Sequence, residues 1–165
     1  MIAPKEILDL LKSTESYRVE RTTSTGNMDK FCEAICAFSN DMPGSRKNGY
    51  LIIGASDDGS IAGMRVDDAL LKKIAGIRSD GNILPLPTMS VERFPFPEGD
   101  LLVAEVRPSD LPPVRYRSRT FIRVGPRRDI ATEAEERILA ERRCSFMATF
   151  DASPCLNARI DDLDI

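Results

Sequence analysis

Apolar residues at positions 28, 31, 32, 35, 36 and 38 recur at i, i+3, i+4, i+7 and i+8, which predicts an amphipathic helix starting at Met28 and capped by Asn27. Ile7, Leu8, Leu10 and Leu11 follow Pro4 at helical spacing and predict a short helix to Lys12. Tyr17 to Thr22 reads as a strand, broken by Gly26-Asn27. The polar stretch from Asp41 to Gly49 is a loop. After it, Tyr50-Leu51-Ile52-Ile53-Gly54 is an unbroken apolar run, as in a strand covered on both faces. Asp58-Gly59 marks a turn into Ser60-Ile61-Ala62-Gly63.

Asp67 to Ile77 predicts a second amphipathic helix, and Ile83-Leu84-Pro85-Leu86-Pro87 an extended connector, because each proline disfavours helix at the residue before it. Thr88 to Phe94 and Leu101 to Val106 read as two strands joined by the loop from Pro95 to Asp100. Val114 to Val124 is a strand or a hairpin. Thr132 with Glu135 forms a capping box for a last helix reaching about Arg143. Helices and strands interleave with short hairpins, so the fold class is α/β (α+β): one domain over 1–150, a mixed and mostly antiparallel sheet flanked by helices. Residues 151–165 form an acidic tail that reads as the start of a further region.

Charge changes the picture through its distribution. The 165 residues carry a net charge of −3. Residues 107–128, however, hold seven basic residues and one acid, whereas the segments on either side are net negative. Arg115, Arg117, Arg119 and Arg123 fall at period-2 spacing and are followed by Arg127 and Arg128. On one continuous strand those first four share a face; if Arg117-Ser118 is a turn they divide. Such a run is an electrostatic footprint for phosphates, to which arginine offers a bidentate fork. Arg46 and Lys47 in the polar loop are further candidate phosphate contacts, although Gly44 to Gly49 lacks the Lys-Ser/Thr pair that a phosphate loop places after its second glycine.

The chain contains no histidine, which removes Ser-His-Asp triads, His-ligated zinc and the usual general base near neutral pH. Carboxylates are then the candidate catalytic groups: Glu15, Glu20, Asp57 and Asp58. Carboxylate oxygens hold Mg²⁺ or Mn²⁺, which activate water for phosphodiester hydrolysis, and Glu15, Glu20 and Asp57 are the candidate metal ligands. Five residues separate the two glutamates, so they converge only across a break in regular structure. Apart from that alternative no cofactor is expected. Met1-Ile2-Ala3-Pro4-Lys5-Glu6 lacks a secretory signal pattern, and no apolar run is long enough to span a bilayer. The expected location is therefore cytoplasmic, with no membrane partner and with Cys32, Cys36, Cys144 and Cys155 as reduced thiols.

Several stretches in order resemble the Schlafen-type AlbA-like domain of bacterial transcriptional regulators and animal Schlafen proteins. They are the E-x4-E element Glu15 to Glu20; Ala34-Ile35-Cys36-Ala37-Phe38-Ser39-Asn40; and Gly49 to Gly54 with Asp57-Asp58-Gly59 and Gly63. Pro112-Pro113, Phe121-Ile122-Arg123-Val124-Gly125 and Ala131-Thr132 complete the series. The resemblance spans roughly residues 10–143. It implies a mixed-sheet domain that binds nucleic acid, DNA rather than RNA, as part of a transcriptional regulator, with homo-oligomers possible in such a unit. Some animal relatives are RNA nucleases using two glutamates and an aspartate. Glu15 and Glu20 match the pair, and Asp57 or Asp58 the third acid, which gives the alternative of a divalent-metal-dependent ribonuclease. The family's lysine two residues beyond the second glutamate is absent, since Arg21 and Thr22 follow Glu20; the loop before Gly49 is longer, and Ala55 stands where the family has Val.

Overall fold

A computed structural model describes residues 2–13 and 17–155. Glu15 and the acidic end of the chain lie outside the described residues. The elements run α1 (Pro4–Lys12), β1 (Val19–Thr22), α2 (Met28–Asn40), β2 (Gly49–Ile53), α3 (Asp68–Ala75), β3 (Ile83–Leu84), β4 (Thr88–Phe96), β5 (Gly99–Arg107), β6 (Arg115–Tyr116), β7 (Phe121–Val124), β8 (Arg127–Ile130) and α4 (Glu133–Cys155). A short 3-10 helix, Gly76–Arg78, follows α3.

Four strands form the main sheet in the order β1-β2-β5-β4. β1 and β2 are parallel, which requires a crossover connection, and α2 supplies it. The other pairings are antiparallel, with β4 and β5 forming a long hairpin. β2 lies between two neighbours, and all five of its residues are buried, which accounts for its unbroken apolar sequence. Alternation along the strands splits the core in two. Leu51, Ile53, Leu102, Ala104 and Val106 face α2 and α3, while Val19, Tyr50, Ile52, Leu101 and Val103 face the α1 side. α2 contributes Phe31, Cys32, Ile35, Cys36 and Phe38 to the first cluster.

The caps form as the sequence predicts. The Asn27 side chain accepts from the Lys30 N–H at 3.1 Å. Thr132 and Glu135 exchange backbone–side-chain hydrogen bonds of 2.9 and 3.2 Å at the start of α4. Several boundaries differ from the sequence reading, among them the start of β1, at Val19 rather than Tyr17. The loop placed at Pro95 to Asp100 shrinks to a tight turn, because β4 is an edge strand and tolerates Pro95 within it. Of the two readings of the 114–124 segment the hairpin holds, with Arg117-Ser118 at its turn, and β7 pairs with a further strand, β8, that its charged sequence hides. α4 continues past Arg143 to Cys155. Among the described residues no helix is long and apolar enough to cross a membrane.

Candidate nucleic-acid interface

β1 carries Glu20 opposite Leu51 of β2, on the face that α2 covers, so a carboxylate is drawn into the protein beside the first core cluster. A buried carboxylate needs a counter-charge, and the β7–β8 hairpin supplies two. Arg123 and Arg128 are cross-strand partners in that hairpin. Arg123 Nη1 donates to Glu20 Oε1 at 2.8 Å, and Arg128 Nε approaches the same oxygen at 3.1 Å. Two like charges side by side on a hairpin would repel; one shared carboxylate removes the repulsion.

Arg123 is the most enclosed of these groups, its side chain only 1% exposed. Its Nη2 donates to the Val19 and Pro126 carbonyls at 3.1 and 3.0 Å, and its guanidinium sits 5.2 Å from the centre of the Phe38 ring. Asn40, the last residue of α2, holds the base of the same hairpin. Its amide donates to the Val114 and Phe121 carbonyls at 2.9 and 2.7 Å, and its carbonyl accepts from Val114 N–H at 2.6 Å. The other side of Arg128 reaches α2, where Nη1 donates to Glu33 at 3.1 Å.

This anchoring leaves a surface cleft of about 370 Å³ lined by Glu20, Arg21, Lys30, Asp57, Pro126, Arg127 and Arg128. Four cations and two carboxylates meet there. Arg21 is largely consumed, its Nη1 donating to the Leu11 and Ser13 carbonyls at 2.9 Å each, which ties the end of α1 to β1. Arg127 is exposed and Lys30 is half-buried at the rim. The cleft therefore presents a net positive lining to an incoming anion.

The sequence-derived residues separate into groups. Arg127 and Arg128 line the cleft. Arg115 is paired at 3.5 Å with Glu136 of α4, Arg117 at 3.4 Å with Asp29 of α2, and Arg119 is exposed beyond the turn. Arg123 is corrected from surface contact to buried anchor, because its charge is matched by Glu20 inside the domain. Arg46 and Lys47 are exposed in the loop after α2; Arg46 lines a different cavity, of about 240 Å³, with Asp110 and Arg142. Asp58 accepts from Ser60 N–H at 2.9 Å and Ser60 Oγ–H at 2.6 Å, bonds that close an exposed turn and hold its carboxyl below the usual carboxylate range. Lys30 escaped the sequence reading because nothing distinguishes it from any polar-face helix residue until β8 folds beside it.

Oε1 of Glu20 is shared by two guanidiniums, Oε2 is buried without a hydrogen-bond partner, and the surrounding charge is positive. Among the described residues no group of three or more potential acidic or thiol ligands gathers. Cys32 and Cys36 are buried on α2, where loss of solvent pushes their thiols up to about 11 and about 12, so neither supplies a thiolate near neutral pH.

Comparison with known proteins places this geometry in context. The family model described as "Schlafen, AlbA_2" matches residues 15–132. Among solved structures, the fold is similar to the DIP2311 protein of Corynebacterium diphtheriae, with TM-score 0.52 and 20% identity over 79% of this chain and 29% of that one. It is also similar to the N-terminal domain of an ATP-dependent DNA helicase RecG-related protein of Nitrosomonas europaea, with TM-score 0.50 and 21% identity over 66% of this chain and 74% of that domain. The chain thus spans under a third of the Corynebacterium protein. No curated protein matches it.

Proposed function

The chain belongs to the Schlafen, AlbA_2 family, and from that premise we propose that it is a nucleic-acid-binding domain that grips the phosphate backbone at the cleft beside the β7–β8 hairpin. The observation that carries this reading is the positive lining built around a neutralised Glu20: Lys30 and Arg127 at the rim, with Arg128 held in place by Glu20 and Glu33. Phosphate contacts of this kind position a strand without reading its bases. The domain acts as the backbone-holding unit of a cytoplasmic transcriptional regulator, and base specificity comes from other parts of that regulator. DNA is the partner of choice, and the DNA-helicase relationship of one similar fold supports it.

The experiment is an NMR titration of the labelled domain with a short random-sequence duplex DNA at low salt. The amides of Lys30, Arg127 and Arg128 should shift together and saturably. Shifts confined to Arg46 and Lys47, or no shifts at all, would overturn the assignment. Structured RNA incubated with the domain and Mn²⁺ should stay intact, as expected where Glu20 is bound by arginines rather than free to hold a metal.

A further inference from the structure

The turn between β6 and β7 has a backbone that its residues do not favour. Tyr116 and Arg119 exchange both backbone hydrogen bonds, at 2.9 and 3.0 Å, so the hairpin closes through only two residues, Arg117 and Ser118. Both have positive φ, +48° and +70°. Two-residue hairpin turns with positive φ at both positions strongly select Asn-Gly, because a Cβ is strained in that conformation. Asn-Gly would make the same backbone bonds at lower cost, so folding alone does not account for Arg-Ser here.

The side chains at this tip are arranged for an external contact. The Arg117 guanidinium lies 5.2 Å from the centre of the Tyr116 ring and 3.4 Å from Asp29, with 64% of its side chain exposed. The Tyr116 hydroxyl donates to the same Asp29 oxygen at 2.6 Å. The arginine is thus aimed in advance, while its exposed ion pair is of the weak kind that a phosphate can displace. Asp29 is followed directly by Lys30, which lines the cleft. The hairpin tip and the cleft consequently flank the same first turn of α2.

We propose that the Arg117-Ser118 turn is a second phosphate-contact point, retained at the expense of local stability, and that one nucleic-acid backbone crosses the first turn of α2 from this tip to Lys30 and Arg127. The inference rests on the function proposed above and extends it to a site in which Ser118 offers its hydroxyl and Arg117 its fork.

The test is the double variant Arg117→Asn/Ser118→Gly, with Arg117→Gln as a control that removes the charge but keeps the strain. Both are titrated against fluorescent duplex DNA across a salt series and melted by circular dichroism. The double variant should melt about 3 °C higher than wild type. It should bind about tenfold more weakly, with a salt slope smaller by about 0.9, the value of one phosphate. Arg117→Gln should lose affinity without gaining stability. A double variant that is more stable yet binds with unchanged affinity and slope overturns the inference, as does one that is no more stable than wild type. If wild-type protein does not bind DNA at low salt, the proposed function fails first and takes this inference with it.

Discussion

Glu20→Gln isolates the role assigned to the carboxylate that joins β1 to the β7–β8 hairpin. The substitution preserves size and removes the negative charge shared by two guanidiniums. Arg128 is 24% exposed and keeps Glu33, so its share of the loss is small. Arg123 lies deeper: at 1% exposure, loss of the carboxylate leaves it with neutral groups such as the carbonyls of Val19 and Pro126 and the Phe38 ring. Removing one partner of a buried pair costs about 3–5 kcal/mol, and the remaining carbonyls place this case near 3. In a chain of this length the melting temperature should fall by about 6–12 °C. Arg123→Met should cost a similar amount, because the Val19 and Pro126 carbonyls lose their donor. The double variant leaves no uncompensated charge and should be about as stable as Arg123→Met alone, a coupling of about 2–3 kcal/mol. Urea unfolding followed by far-ultraviolet circular dichroism, with slopes compared between variants, measures all four species. If Glu20→Gln lies within about 0.5 kcal/mol of wild type, or the two single losses simply add, Glu20 is not the counter-ion of Arg123. A glutamate kept for metal binding would behave in the opposite way, since relieving a functional site commonly stabilises the fold.

Three further outcomes follow from local geometry. Gly59→Ala should destabilise by about 2 kcal/mol in thermal melts, because φ at this position is +87° and an added Cβ would overlap the Leu11 carbonyl at the end of α1; unchanged stability would show that α1 does not dock there. Ellman's reagent at neutral pH should modify exposed Cys144 but leave the buried thiols of Cys32 and Cys36 unreacted until denaturant is added, as peptide mass mapping would show. Burial and the Glu105 hydrogen bond raise the Tyr50 phenol from 10.0 to about 12. Because the folded state favours the neutral phenol, the associated stability is complete below pH 10 and is lost as pH rises through 12. Absorbance titration of Tyr50→Phe against wild type should lack that late-ionising phenol.

Much of the scaffold was legible because its pattern is local. The stripe from Met28 to Phe38, the Asn27 cap and the Thr132–Glu135 capping box each specify structure within a few residues, and each forms. β2 reads as doubly covered because both neighbours and both core clusters enclose it. The interface was legible only in composition. The arginine run includes Arg127 and Arg128, which line the cleft, yet nothing in Phe121-Ile122-Arg123-Val124 shows that Arg123 points inward, because its partner Glu20 is 103 residues away. β8 was hidden for a related reason. Arg127-Arg128-Asp129-Ile130 has neither apolar alternation nor strand propensity, and it becomes a strand through backbone pairing with β7. Lys30 and Asp57 enter the site only once β8 and the turn after β2 converge on α2.

The most direct test of the account is the salt dependence of DNA binding by wild type and by Lys30→Gln/Arg127→Gln, two substitutions at the cleft rim that leave the buried Glu20–Arg123 pair intact. Log affinity against log salt should be steep for wild type and shallower by about 1.8 for the double variant, the release expected for two phosphates, with identical melting temperatures. Equal slopes for the two proteins would place the nucleic acid elsewhere and contradict the account.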